Sequence, residues 1–138
     1  MKTFIAFVCL ISLWCIQAKD NAGVFSEIEK SCIKKFNLDE FTVDYNMKQL
    51  YMPEDNILFS QFMACVWKKD GFIDGKDNLD FPVFQQYISD TFGSVVASKK
   101  TADAFARDSV NSCKNIKGDT PGQKGIKFMN CVTRLFQN

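Results

Sequence analysis

The apolar positions of this chain recur at intervals of three and four along most of its length. Val24, Phe25, Ile28, Cys32, Ile33 and Phe36 share one face and predict a first helix. Asn37, with Glu40 three residues on, predicts the cap of a short second helix running to about Leu50, and Pro53 separates it from the next apolar run. Residues 56–69 carry Ile57, Leu58, Phe59, Phe62, Met63, Cys65 and Val66. Apolar around most of its circumference, this third helix is expected at the centre of the fold. Asp80 caps a fourth helix with Pro82 in its first turn, continuing through Phe84, Tyr87 and Ile88 to Phe92 and Gly93. A fifth spans about residues 98–115, with Ala102, Phe105, Ala106, Val110 and Cys113 inward. Gly118 and Asp119 break the chain. Thr120 then caps a sixth helix, Pro121 suits its first position, and Gln123 completes a Thr-x-x-Gln capping box. Ile126, Met129, Cys131, Val132 and Phe136 make the apolar face of that helix. No strand alternation, repeat or linker interrupts the pattern, which predicts an all-α domain of about six short helices.

The first residues obey a different logic. Met1-Lys2-Thr3 is a short cationic start, residues 4–16 are an apolar run, and Ala18 is a small residue before Lys19. This is the layout of a secretory signal cleaved after Ala18. A membrane anchor needs about 20 apolar residues, and Lys19-Asp20 ends the run too early. The expected organisation is therefore a signal peptide at 1–18, a helical domain at 19–138, and a secreted, extracellular product. Cleavage removes Cys9, Cys15 and Lys2. Four cysteines remain, and sixteen basic residues balance sixteen acidic ones. A neutral chain lacks the basic surplus of a nucleic-acid or anionic-membrane binder. No N-x-[ST] sequon is present, so N-glycosylation is not expected. Twelve Phe, three Tyr and one Trp remain after cleavage; those rings either fill a core or line a hole.

Candidate chemistry is sparse. The chain has no histidine, which removes Ser-His-Asp and Cys-His catalysis. Structural zinc prefers closely spaced Cys/His pairs, whereas the four cysteines are 33, 48 and 18 residues apart. The run from Asp70 to Asp80 looks like a calcium loop, but with Asp70 first, Phe72 and Phe81 fall where an EF-hand requires oxygen ligands. A polar inter-helix turn is the better reading. Carboxylate-pair hydrolysis remains formally open because Asp and Glu are plentiful. No catalytic residue, metal or cofactor is expected. Four cysteines in a small secreted domain imply two disulfides, for which sequence alone permits three connectivities. Each cysteine sits on a helix's apolar face, so helix-to-helix staples are expected, each worth about 3–4 kcal/mol in the chain-entropy model.

Cysteines on the first, third, fifth and sixth helices of a secreted helical chain resemble the insect odorant-binding protein family. The resemblance covers essentially the whole of 19–138. That family's usual pattern has six cysteines, the second and third separated by three residues and the fifth and sixth by eight. Counting back from Cys65 and Cys131, the second and fifth positions fall on Gln61 and Gly122, so a whole bridge is missing, as in the four-cysteine "Minus-C" subgroup. Cys65-Val-Trp-Lys-Lys-Asp-Gly-Phe-Ile-Asp resembles the family's end of helix three and the turn after it. Cys113-Lys-Asn before Gly118-Asp119 resembles its approach to helix six. The resemblance implies Cys32–Cys65 and Cys113–Cys131 pairing. It also implies that Gln61 and Gly122 face each other, close enough for an engineered bridge.

The resemblance further implies a carrier of small hydrophobic molecules, odorants or pheromones, held in an internal cavity built mainly by helices three to six. The candidate ligand-binding residues are Phe59, Phe62, Met63 and Val66 on the third helix and Phe84, Tyr87 and Ile88 on the fourth. Phe105 and Val110 on the fifth and Ile126, Met129 and Phe136 on the sixth complete the set. Tyr87 carries a polar handle, and Met63 and Met129 are pliable enough for several ligand shapes. The expected partners are a small hydrophobic ligand and a membrane odorant receptor, with no nucleic acid and no membrane insertion, the protein being a monomer or weak homodimer. Alternatives are a carrier of lipids in a non-sensory fluid, a secreted carboxylate enzyme, and a helical interaction protein or toxin with a filled core.

Overall fold

In a computed structural model of the chain, which describes residues 25–138, six helices make up the fold. They are α1 (Glu27–Lys35), α2 (Glu40–Met47), α3 (Ile57–Lys69), α4 (Phe81–Gly93), α5 (Lys99–Cys113) and α6 (Pro121–Gln137). The expected signal peptide at 1–18, its cysteines Cys9 and Cys15, its cleavage point after Ala18, and Val24 lie outside the described residues.

Side-chain caps set most helix starts, among them Asp80 and Thr120, which the sequence predicted. The side chains of Asn56, Asp80, Ser98 and Thr120 accept hydrogen bonds from the backbone N–H groups of Phe59, Val83, Thr101 and Gln123. Each such cap is worth about 1 kcal/mol. Two details correct the sequence reading. The cap of α2 is Asp39, whose carboxylate accepts from the N–H of Thr42 at 2.8 Å and from its hydroxyl at 2.7 Å. Asn37 instead lies just past the end of α1 with φ of 50°, a left-handed conformation that asparagine tolerates. At α6, the Gln123 carbonyl accepts from the N–H of Asp119 at 2.7 Å, one residue before the cap, so the box is displaced. A reciprocal capping box occurs at α1, between Ser26 and Glu29.

Packing is uneven among the helices. α4 and α5 form the most extensive pair, and α3 crosses α6 in the next; α1 on α3 and α5 on α6 touch less. The disulfides join the two sparser pairs. Cys32–Cys65 ties α1 to α3 with Cα atoms 6.0 Å apart, and Cys113–Cys131 ties α5 to α6 at 5.9 Å. α2 is peripheral, with Val43 alone buried. Phe62, Phe84, Ile126 and Phe128 are fully enclosed at the centre. α3 is not buried all round as expected: Ile57 and Leu58 in its first turn are 73% and 55% exposed on its solvent face, while Phe59 and Ser60 beside them are buried.

The α3–α6 crossing is tight because α6 presents glycine there. A Cβ on Gly122 would lie 2.0 Å from the carbonyl oxygen of Ser60, and one on Gly125 would lie 2.3 Å from the Trp67 ring. This overturns the expectation of a bridgeable Gln61–Gly122 pair. Gly122 is turned onto the Ser60 backbone, and the helices have closed to a separation that leaves no space for a side chain. Beside the contact, the hydroxyls of Ser60 and Thr120 are 3.0 Å apart in a hydrogen bond. Further along α6, the buried amide of Asn130 bonds the N–H and C=O of Met52 and the Glu54 carboxylate, each at 2.9 Å. That clasp pins the α2–α3 connection along α6.

Candidate ligand-binding cavity

The aromatic rings divide between two groups. Trp67, Phe72, Phe81, Phe84 and Phe128 stack on one another inside the bundle, with centroids 4.8–5.8 Å apart. Phe92, Phe105 and Phe136 form a separate triad at 4.4, 5.3 and 6.0 Å. One from each of α4, α5 and α6, these three flank a cavity of about 360 Å³. Rings therefore both fill a core and line a hole.

The cavity wall comes from the C-terminal parts of α4 and α6 and the first half of α5. α4 and its exit contribute Tyr87, Ile88, Thr91, Phe92, Ser94 and Val95; α5 contributes Phe105; α6 contributes Met129, Val132, Thr133 and Phe136. Of the residues expected from sequence, Tyr87, Ile88, Phe105, Met129 and Phe136 are brought together here. Phe59, Phe62, Met63, Val66, Phe84, Val110 and Ile126 belong to the buried core cluster and are not on this wall. Thr91, Phe92, Ser94, Val95, Val132 and Thr133 are wall residues that were not among the sequence candidates. Spacing could have found Phe92, which continues the Phe84–Ile88 row at four-residue steps. The hydroxyl residues carry no such signal.

The wall holds no Asp, Glu, Lys or Arg. Its polar groups are hydroxyls, two of which are engaged internally. Thr133 donates to the Met129 carbonyl at 3.0 Å, and Ser94 donates to the Thr91 carbonyl at 2.7 Å. Tyr87 and Phe136, about half exposed, stand where the cavity opens to solvent, and the Tyr87 ring meets Phe72 edge-on at 5.5 Å. Elsewhere on the α4–α5 hairpin, the buried Ser89 hydroxyl donates to Asp103, which also pairs with Lys99 at 3.0 Å. The Ser89 bond, then that of Lys99, holds the Asp103 carboxyl below its ordinary value. This clamp fixes the register of two cavity walls.

Other polar clusters are occupied by the fold itself. In the Asp70–Asp80 turn, Asp74 accepts from the N–H groups of Asn78 and Lys76, which lowers its pKa, and Ile73 pairs with Leu79 in an isolated antiparallel bridge. The carboxylate is committed to closing the turn. Among the described residues, no group of three or more His, Cys, Asp or Glu side chains is placed to hold a metal.

An uncharged apolar cavity in a disulfide-stapled helical bundle has the character of a small-molecule site. No described helix is long and apolar enough to cross a membrane. The chain belongs to the PBP/GOBP family, the insect odorant- and pheromone-binding family of carriers, whose model matches residues 17–134. No curated protein and no solved structure matches it.

Proposed function

We propose that this protein is a secreted carrier that takes a small hydrophobic molecule, an odorant or pheromone, into the α4–α5–α6 cavity and moves it through aqueous fluid. The observation that carries the reading is the cavity itself. Its volume of about 360 Å³ lies at the lower end of the roughly 300–1,000 Å³ of small-molecule sites, and its wall is apolar apart from a few hydroxyls. Removal of residues 1–18 as a signal peptide would deliver the domain to an oxidising compartment, where two disulfides persist. The lining offers neither an acid–base pair nor a nucleophile with a base beside it, so the reading is binding without chemical change.

The test is a titration of purified residues 19–138, oxidised, with the fluorescent apolar probe N-phenyl-1-naphthylamine. Saturable uptake with enhanced emission is expected, reversed by competing volatile apolar compounds that are recovered unchanged. Val132→Phe, which pushes a ring into the cavity, should abolish uptake while leaving helicity and melting close to wild type. A folded wild-type protein that takes up no probe would overturn the reading.

A further inference from the structure

The two wall hydroxyls that are hydrogen-bonded within the protein are one-sided in what they offer a ligand. A hydroxyl has one proton to donate and two lone pairs to accept with. A backbone carbonyl can only accept, so the protons of Thr133 and Ser94 are committed to the carbonyls of Met129 and Thr91. Toward the cavity these two side chains present lone pairs alone. Thr133 is the least exposed of the four hydroxyl residues on the wall; Tyr87, Thr91 and Ser94 are exposed, where water competes for any bond they make. The backbone N–H groups of Ser94 and Val95 are spent on the carbonyls at the end of α4.

The electrostatics point the same way. Thr91 and Phe92 are in the last turn of α4, and Phe136 is in the last turn of α6. Two helix C-termini, each carrying about half a negative charge, therefore meet at one cavity. No Lys or Arg lines it. Arg134, the neighbour of Thr133, is engaged instead by Glu54 and the Tyr51 ring. A carboxylate placed here would lose its hydration, meet two negative helix ends and find no cation, a costly combination.

We infer that the cavity selects neutral hydrogen-bond donors, alcohols and phenols, over carbonyl compounds and carboxylates of the same skeleton, with the Thr133 hydroxyl oxygen as the specificity-determining acceptor. The inference rests on the carrier reading and adds a ligand chemistry to it. A ligand O–H directed at Thr133 gains a bond that an aldehyde or ketone cannot make, because its oxygen would face lone pairs. One such bond is worth about a five- to tenfold difference in affinity.

The test is displacement of N-phenyl-1-naphthylamine by citronellol, citronellal and citronellate at pH 7.5, on wild type, Thr133→Val and Thr133→Ser. The three competitors share one carbon skeleton, and comparing variants cancels their different hydration. Thr133→Val keeps the shape and removes the acceptor, so it should weaken citronellol about five- to tenfold and leave citronellal within about twofold. Thr133→Ser, which keeps the hydroxyl, should retain the wild-type ratio, and citronellate should compete at least about tenfold more weakly than citronellol. Equal weakening of alcohol and aldehyde in Thr133→Val, an unchanged alcohol-to-aldehyde ratio, or citronellate binding as tightly as citronellol would overturn the inference while leaving the carrier reading intact. Failure of wild type to take up the probe would overturn both.

Discussion

Replacing Gly122 by alanine would place a methyl carbon 2.0 Å from the carbonyl oxygen of Ser60 and 2.8 Å from its carbonyl carbon. The first falls short of ordinary contact by more than about 1 Å and the second by about 0.7 Å or more. The obstacle is backbone in the middle of a helix, so no side-chain rotation relieves it; α3 and α6 must move apart. Overpacking of this kind costs about 1–3 kcal/mol, occasionally more, and at most about 1 kcal/mol returns from alanine's better helix propensity. Separation would also stretch the Ser60–Thr120 hydrogen bond and lift Gly125 from Trp67. The net expectation is destabilisation by about 1–3 kcal/mol, which lowers the melting temperature by roughly 5–15 °C in a domain of this size. Circular-dichroism melts of oxidised protein read it directly. Gly75→Ala is the control: nothing lies within 4 Å of that Cβ, its φ is not positive, and melting should stay within about 0.5 kcal/mol of wild type. A Gly122→Ala protein that melts at or above wild type would refute the close-crossing account. So would spontaneous disulfide formation in a folded Gln61→Cys/Gly122→Cys double variant.

Ser109 is buried on α5 with no partner for its hydroxyl, so Ser109→Ala should raise stability by about 1 kcal/mol in urea unfolding; a loss would reveal a bond to that hydroxyl. Peptide mapping of the oxidised protein should return only Cys32–Cys65 and Cys113–Cys131 for the described cysteines, and removing either pair should cost about 3–4 kcal/mol. A native thiol titrating at any of these four positions would contradict the pairing. Asp39, Asp74 and Asp103 are held below the ordinary aspartate value of 3.8 by hydrogen bonds from Thr42, Asn78 and Ser89 respectively. Their contribution to stability is complete above that value and lost as pH falls through their lowered folded values. Melting and probe affinity should therefore be flat between about pH 5 and 7.5, with stability falling below about pH 4; a drop in affinity near pH 6 would require a titrating group that the wall does not contain.

The helices were legible because periodicity and capping act within a few residues of each other. Where two candidates competed locally, the pattern could not decide. Asn37 and Asp39 are both capping types, and only the backbone path past Phe36 selects Asp39. Features that depend on a distant partner were hidden. Gly122 and Gly125 read as weak helix residues until Ser60 and Trp67 are seen opposite them, and Asn130 reads as a surface polar residue until the Met52 backbone closes over it. The cavity was legible by face but not by depth. Phe84, Ile88 and Phe92 occupy one row of α4, yet Phe84 packs on Trp67 and Phe128 while Phe92 borders the cavity. Sequence spacing reports which side of a helix faces inward; whether atoms or space lie beyond it is set by how the neighbouring helices diverge.

That divergence has a source in α6 itself. Its first half carries Gly122 and Gly125 and lies against α3 with no room for a Cβ, whereas its second half carries Met129, Val132 and Phe136 and stands off α4 and α5 around the cavity. Small residues at one end and large ones at the other tilt the helix, closing one contact while opening the other. The apolar space of about 360 Å³ forfeits contacts that a filled core would make. Two bridges closing loops of 33 and 18 residues contribute about 7 kcal/mol in the chain-entropy model. One of them, Cys113–Cys131, joins α5 to α6, two cavity-flanking helices that pack far less on each other than α4 does on α5. That covalent link stands where a filled core would otherwise be needed, while the glycine contact with α3 closes the other end of α6, where nothing has to be held open.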